Sequence, residues 1–237
     1  MQVRILEETA FLGVTYRPGP TEVPEYIGQA MLAAGIATLQ PALAVSAPTL
    51  GQHLVRQAWG TCGGDGVLHG TAAESGTWHV VGPGQDDAFR QSGGYATSVE
   101  NAYCFLQAGA PVRKAESVFH GPDCTLAICL DDTLADMVHV NFVPGTQPFV
   151  MFWKTGVGPS NLPAFDQAIA PIPNENRPMK YAIELDGNYL YCYVDDKLCH
   201  IAYDSNFASL KGQWAFSQLH GEGAPDRLYS LTTYVGP

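Results

Sequence analysis

The sequence predicts a mainly β protein: a small N-terminal α+β module, an extended arm, and then a two-sheet antiparallel β-sandwich. Three observations carry that prediction. Between Lys180 and Tyr203 (KYAIELDGNYLYCYVDDKLCHIAY) apolar and polar residues alternate between turn signals at Asp186-Gly187-Asn188 and Asp195-Asp196, which marks consecutive antiparallel strands. From about Leu54 onward, strand-sized segments recur with turn signals between them, a spacing that suits a sandwich. Finally, 25 Gly and 17 Pro in 237 residues suit many short strands better than long helices.

The chain opens on a separate module, residues 1–40. Val3 and Ile5, then Phe11, Val14 and Tyr16, suggest two short strands around Glu7-Glu8. Arg17-Pro18-Gly19-Pro20 reads as a turn. Pro24 suits the first position of a helix whose apolar stripe is Tyr26, Ile27, Ala30, Met31 and Ala34, and Gly35 suits the position just past its end. Residues 36–53 are Ala- and Pro-rich and uncharged, so the chain from 41 to 53 reads as an arm or linker. Its apolarity is easier to explain if a partner covers it.

The remainder, 54–237, carries the sandwich. Trp78–Val81, Ala102–Gln107, Ser117–His120, Thr125–Leu130, Met137–Val143, Phe149–Thr155, Gln213–Leu219 and Leu228–Val235 read as strands. Gly82-Pro83-Gly84, Gly121-Pro122-Asp123, Pro144-Gly145 and Ala224-Pro225-Asp226 separate some of them. A two-residue turn at Asp195-Asp196 pairs Val194 with Lys197, Tyr193 with Leu198, Cys192 with Cys199, Tyr191 with His200 and Leu190 with Ile201. That register sends Leu190, Cys192, Val194, Cys199 and Ile201 to a core and Tyr189, Tyr191, Tyr193, Leu198 and His200 to the opposite face.

Composition excludes several functions. Hydrophobic residues make up 46% and charged residues 15%, enough to fill a core. With 12 basic and 23 acidic residues, a formal charge of −11 and no basic cluster, nucleic acid is not an expected partner. No apolar run is long enough to span a membrane, and no leader pattern opens the chain, so a soluble protein made in a cytoplasm is expected. The six cysteines form no CxxC pair and read as small buried hydrophobes, with Cys192 and Cys199 expected to remain reduced.

Two stretches bear family resemblances. Val3-Arg4-Ile5-Leu6, Gly13-Val14, Tyr16, Pro18-Gly19, Val23-Pro24 and Ala30…Gly35-x-Ala37 resemble a small module of tailed-phage head proteins. Asp65-Gly-Val-Leu-His-Gly-Thr-Ala-Ala-Glu-Ser-Gly-Thr-Trp78, the YAIELDGNYLYCYVDDKL hairpins and the terminal RLYSLTTYVG resemble concanavalin-A-like lectin/glucanase sandwiches, usually a jelly-roll. Together they imply a non-enzymatic virion structural protein, a capsid decoration, cement or head-fibre subunit. The alternative is a lectin-like glycan-binding adhesin, with a glycoside hydrolase third. The partners implied are the major capsid protein lattice, further copies of the chain (a trimer at a symmetry axis) and a host-surface glycan, and the location is the capsid exterior of a virion. Arg4, Phe11, Tyr16, Arg17, Tyr26, Leu39 and Leu43 are the expected capsid-docking residues. Trp153, Tyr189, Tyr191, Tyr193 and His200 are the expected glycan or subunit contacts, since aromatic faces suit both.

Catalytic and metal sites are weakly signalled. Retaining glucanases of the resembling fold set carboxylates on one strand in an ExDxxE-type pattern. The match here is Glu184-Leu185-Asp186, followed three places on by Tyr189 rather than Glu, so no catalytic residues are expected. No GxSxG or HExxH occurs. Asp131-Asp132, Asp136 and Asp195-Asp196 are scattered turn-tip carboxylates rather than a calcium loop, and no metal or other cofactor is expected.

Overall fold

A computed structural model of the chain describes residues 2–5, 9–11, 14–16, 19–22, 31, 37–39, 54–81, 89–98, 102–122, 124–129, 136–154, 158–162, 171–204, 206–219 and 226–236. The chain divides into two compact units, Met1–Thr49 and Leu50–Pro237.

Among the described residues the first unit holds five short strands: β1 (Gln2–Ile5), β2 (Thr9–Phe11), β3 (Val14–Tyr16), β4 (Gly19–Glu22) and β5 (Ala37–Leu39). β1 pairs with β4 on one side and β5 on the other, and β2 pairs with β3. One expectation is corrected here. Gly19 and Pro20 are strand residues rather than turn residues, with Pro20 opposite Arg4. Ala37–Leu39 is a sheet strand opposite Val3–Ile5. Of the expected helix only Met31 is described, and it is helical and fully buried. The expected arm, 41–53, lies outside the described residues.

The second unit is a two-layer antiparallel sandwich. Its strands are β6 (Val55–Thr61), β7 (Gly66–Val67), β8 (His79–Val81), β9 (Phe89–Ser92), β10 (Tyr95–Ser98), β11 (Ala102–Gln107), β12 (Val112–His120), β13 (Cys124–Cys129), β14 (Met137–Phe142), β15 (Phe149–Lys154), β16 (Gly158–Leu162), β17 (Met179–Asp186), β18 (Tyr189–Val194), β19 (Lys197–Tyr203), β20 (Trp214–Leu219) and β21 (Arg227–Val235). One sheet has nine strands in the order β19-β18-β17-β12-β21-β10-β9-β7, with β6 also on β21. The other has seven, in the order β16-β15-β14-β13-β20-β11-β8. The eight predicted segments all correspond to strands; β6, β7, β9, β10 and β16 were not predicted.

The core lies between the sheets. Phe142 of the seven-stranded sheet meets Tyr181 of the nine-stranded sheet with ring centroids 5.1 Å apart, and Phe119 meets Tyr181 at 6.3 Å. Trp78, Leu68, Leu106, Leu126, Ile128 and Leu231 are buried in the same cluster. Phe207, in a 3-10 turn at Phe207–Ser209, closes over Phe152 at 6.2 Å.

The hairpin of β18 and β19 departs from the predicted register. Asp195 and Asp196 take φ of 48° and 63°, the paired left-handed geometry of a tight hairpin turn, and Val194↔Lys197 and Tyr193↔Leu198 follow as expected. A β-bulge then inserts one residue, so Cys192 faces His200, Tyr191 faces Ile201 and Leu190 faces Ala202. Cys199 and Ala202 join the core while Ile201 does not. Cys192 and Cys199 are buried and unbridged, the Cys199 thiol donating to the Cys192 carbonyl at 3.3 Å.

Candidate functional site

The sandwich presents two outward sheet faces, and the expected contact residues are divided between them. On the nine-stranded sheet, alternation along β18 turns Leu190, Cys192 and Val194 into the core and leaves Tyr189, Tyr191 and Tyr193 on the opposite face. Across the ladders they sit opposite Asp186, Glu184 and Ala182 of β17 and Tyr203, Ile201 and Leu198 of β19. Tyr189 packs edge-on against Tyr203 at 5.2 Å and lies 6.2 Å from Tyr191.

Next to these rings is a closed polar network. Lys114 lies 2.8 Å from Glu116 and 3.9 Å from Glu184, and the Tyr234 hydroxyl donates to Glu116 at 2.7 Å. The Lys114 ammonium also stands 5.2 Å over the Tyr234 ring. Burial raises the Tyr191 and Tyr193 hydroxyl pKa values, with the charges of Glu184 and Asp186 adding to the effect. Glu184 is only 4% exposed. A buried carboxylate paired with a lysine ties strands together, and its charge is already balanced.

His200 and Trp153 do not belong to this face. The bulge puts His200 opposite Cys192, where it is 2% exposed and neither ring nitrogen has a hydrogen-bond partner. Burial lowers its pKa to about 4. Trp153 is on β15, in the other sheet. The five expected glycan contacts are therefore not one site.

The seven-stranded sheet carries the second face. Along β14, Val138, Val140 and Phe142 enter the core, leaving Met137, His139 and Asn141 outside; along β15, Val150 and Phe152 enter, leaving Phe149, Met151 and Trp153. The ladders set Phe149 beside Asn141 and Asn141 beside Thr125. They likewise set Met151 beside His139 and His139 beside Ala127, and Trp153 beside Met137. Farther across, Tyr103 and Phe105 of β11 share this face, and His79 of β8 stacks on Phe105 at 5.4 Å with an interplanar angle of 12°.

This face has a buried middle and aromatic margins. Thr125, Ala127 and Phe105 are nearly inaccessible, whereas Phe149 is 47% exposed and Trp153 39%. Successive outward residues of a strand lie two residues apart, so these two rings stand about 14 Å from each other along β15. Asn141 Oδ1 is buried and accepts no hydrogen bond. Charged residues are absent from the outward positions described on β8, β11, β13, β14 and β15, in a chain of formal charge −11. The His79 pKa is lowered, first by burial and then by the nearby His69, whose Nδ1 accepts the Val80 N–H at 2.9 Å.

Other expected residues are placed as follows. Arg4 is on β1, Phe11 on β2 opposite Val14, Tyr16 on β3 opposite Thr9, and Leu39 on β5 opposite Val3. Arg17, Tyr26 and Leu43 lie outside the described residues, as do Asp131 and Asp132. Asp195 accepts the Lys180 N–H at 3.0 Å and pairs with Arg177, which holds its carboxyl below the usual range despite the opposing effect of burial. Asp196 pairs with Lys180. Among the described residues no group of three or more His, Cys, Asp and Glu could hold a metal. Sequence reasoning missed Tyr103, Phe105, Thr125, His139, Asn141, Phe149 and Met151; the alternation in MVHVNF and FVMFWK was the available signal.

No protein-family model matches the chain, and no curated protein does. Solved structures do. A laminarinase from Rhodothermus marinus superposes with a TM-score of 0.55 at 10% identity, covering 78% of this chain and 98% of that one. A non-specific endo-β-1,3(4)-glucanase of family GH16 gives 0.51 at 9% identity, covering 79% and 93%. The catalytic domain of an endo-1,3-β-glucanase from Thermotoga petrophila gives 0.50 at 10%, covering 77% and 98%. The sandwich is thus a jelly-roll of the concanavalin-A-like type. The expectation of a non-enzymatic protein is corrected by these neighbours: the fold is one that enzymes use, and it gives no ground for excluding activity. The argument for that expectation rested on Glu184 and Asp186, which lie on the nine-stranded sheet beside the Lys114 network.

Proposed function

We propose that the sandwich binds a carbohydrate on the outward face of its seven-stranded sheet. The observation that carries this reading is the pair of exposed rings, Phe149 and Trp153, at the margin of an uncharged strip that holds Thr125, His139 and Asn141. A pyranose offers an apolar ring face that stacks on an aromatic side chain and hydroxyls at its edge that reach polar groups beside it. An uncharged strip suits a neutral glycan, because a carboxylate or sulfate would lose its hydration there without a cation to replace it. The named structural neighbours act on β-1,3-glucans, which makes β-1,3-gluco-oligosaccharides the first ligands to try.

The test is calorimetric titration of the full chain with neutral oligosaccharides, β-1,3-glucans first. Trp153→Ala should weaken binding at least tenfold, equivalent to about 1.4 kcal/mol. Tyr191→Phe, on the other sheet, should leave it unchanged. Equal affinity of wild type and Trp153→Ala would contradict the reading. Chromatography of the sugar after each titration shows whether it returns intact or shortened.

The capsid-decoration reading rests on the sequence resemblance of residues 1–40, and the described backbone of that unit adds nothing to it. The fold of the larger unit favours the glycan alternative, with a host-surface glycan one source of ligand.

A further inference from the structure

We infer that Asn141 is the specificity-determining acceptor of the proposed glycan site, its side-chain carbonyl taking a hydrogen bond from one sugar hydroxyl. The inference rests on the glycan reading and adds the polar contact that orients the sugar. Asn141 lies on β14 between Phe149 of β15 and Thr125 of β13, so an exposed ring, a half-buried amide and a buried hydroxyl residue form one row across three strands. Its Oδ1 is buried and has no hydrogen-bond partner. Buried acceptors are normally satisfied, and leaving one empty costs stability. The residue as a whole is only half-buried, so a turn of the amide about its Cβ–Cγ bond would bring this oxygen to a ligand hydroxyl arriving beside the Phe149 ring, removing that cost at the moment of binding. Neighbouring strands lie about 4.8 Å apart, so a sugar stacked over Phe149 has its edge within reach of the next strand.

Stacking tolerates many sugars, because every pyranose has an apolar face. A single buried acceptor does not: it rejects an analogue that lacks the donor, since the acceptor then stays unpaired. The arrangement therefore divides the work, with Phe149 and Trp153 supplying affinity and Asn141 supplying selection.

The experiment titrates wild type and Asn141→Leu with a β-1,3-gluco-oligosaccharide series that includes singly deoxygenated members. Wild type should lose about tenfold in affinity for one deoxy analogue. Asn141→Leu should bind the parent sugar about tenfold more weakly and bind that analogue and the parent alike. Its melting temperature should be no lower than that of wild type, which separates a lost contact from a damaged fold; Asn141→Ser serves if the leucine variant does not fold. Glycan binding by wild type with unchanged affinity and selectivity in the Asn141 variants would overturn this inference and leave the glycan reading standing. Failure of wild type to bind any neutral oligosaccharide would overturn both.

Discussion

Gly60→Ala is expected to destabilise the sandwich by about 3 kcal/mol, because the added methyl has nowhere to go. A Cβ at Gly60 would stand 2.5 Å from Cζ2 and 2.7 Å from Cε2 of Trp78, and 2.8 Å from Cβ of Ala73. Real non-bonded carbons do not approach so closely, so a neighbour must move. Trp78 is 1% exposed and belongs to the largest buried side chains, so its indole cannot step aside without displacing the core around it. Gly60 is held in turn by β6, opposite Leu231 of β21. Urea unfolding followed by tryptophan fluorescence measures the loss. Combining Gly60→Ala with Trp78→Phe should cost less than the two singly, because the smaller ring vacates the contested space. A Gly60→Ala variant within 0.5 kcal/mol of wild type would show that β6 and Trp78 do not meet as described.

His200 should make the sandwich acid-sensitive. Its folded pKa is depressed by burial to about 4 from an ordinary 6.5. Between those values the unfolded chain holds a proton at this position that the folded chain does not, so unfolding free energy increases with pH there. The contribution is complete above pH 6.5, is lost as the pH falls toward 4, and amounts to about 3 kcal/mol. His200→Leu should remove that part of the slope. At pH 7 the variant should be no less stable than wild type, since neither ring nitrogen of His200 makes a hydrogen bond to lose. Parallel stability curves for the two proteins from pH 7 to pH 4 would contradict this account of the residue.

Much of the fold was legible because its signals are local. The Asp195-Asp196 turn and the alternation of Tyr189 to Val194 are written in consecutive residues, and both predicted pairs nearest the turn occur. The bulge was not legible. Cys199, His200, Ile201 and Ala202 offer no sharp contrast between polar and apolar positions, so nothing in the sequence marks where the phase slips by one residue. His200 was consequently assigned to the tyrosine face.

The candidate site was illegible for a different reason. Leu126 to Ile128, Met137 to Phe142 and Phe149 to Trp153 are apolar or weakly polar on both faces, so alternation alone does not say which face is the core. Sheet membership is also non-local. Trp153 was recognised as an aromatic contact, but only the pairing of β15 with β14 and β16 reveals that it lies on a different sheet from the tyrosines. Asn141 is chemically ordinary in the sequence and becomes distinctive only beside Phe149 and Thr125.

The central claim, that a neutral glycan binds the outward face of the seven-stranded sheet, is tested most directly with methionine-methyl-labelled protein. Met137 and Met151 are half-buried on that face, whereas Met179 is 2% exposed in the core. On titration with a β-1,3-gluco-oligosaccharide, the methyl resonances of Met137 and Met151 should shift in wild type and need at least tenfold more sugar to shift in Trp153→Ala, with Met179 unmoved in both. Binding detected by calorimetry with Met137 and Met151 unshifted would place the sugar elsewhere and contradict the claim.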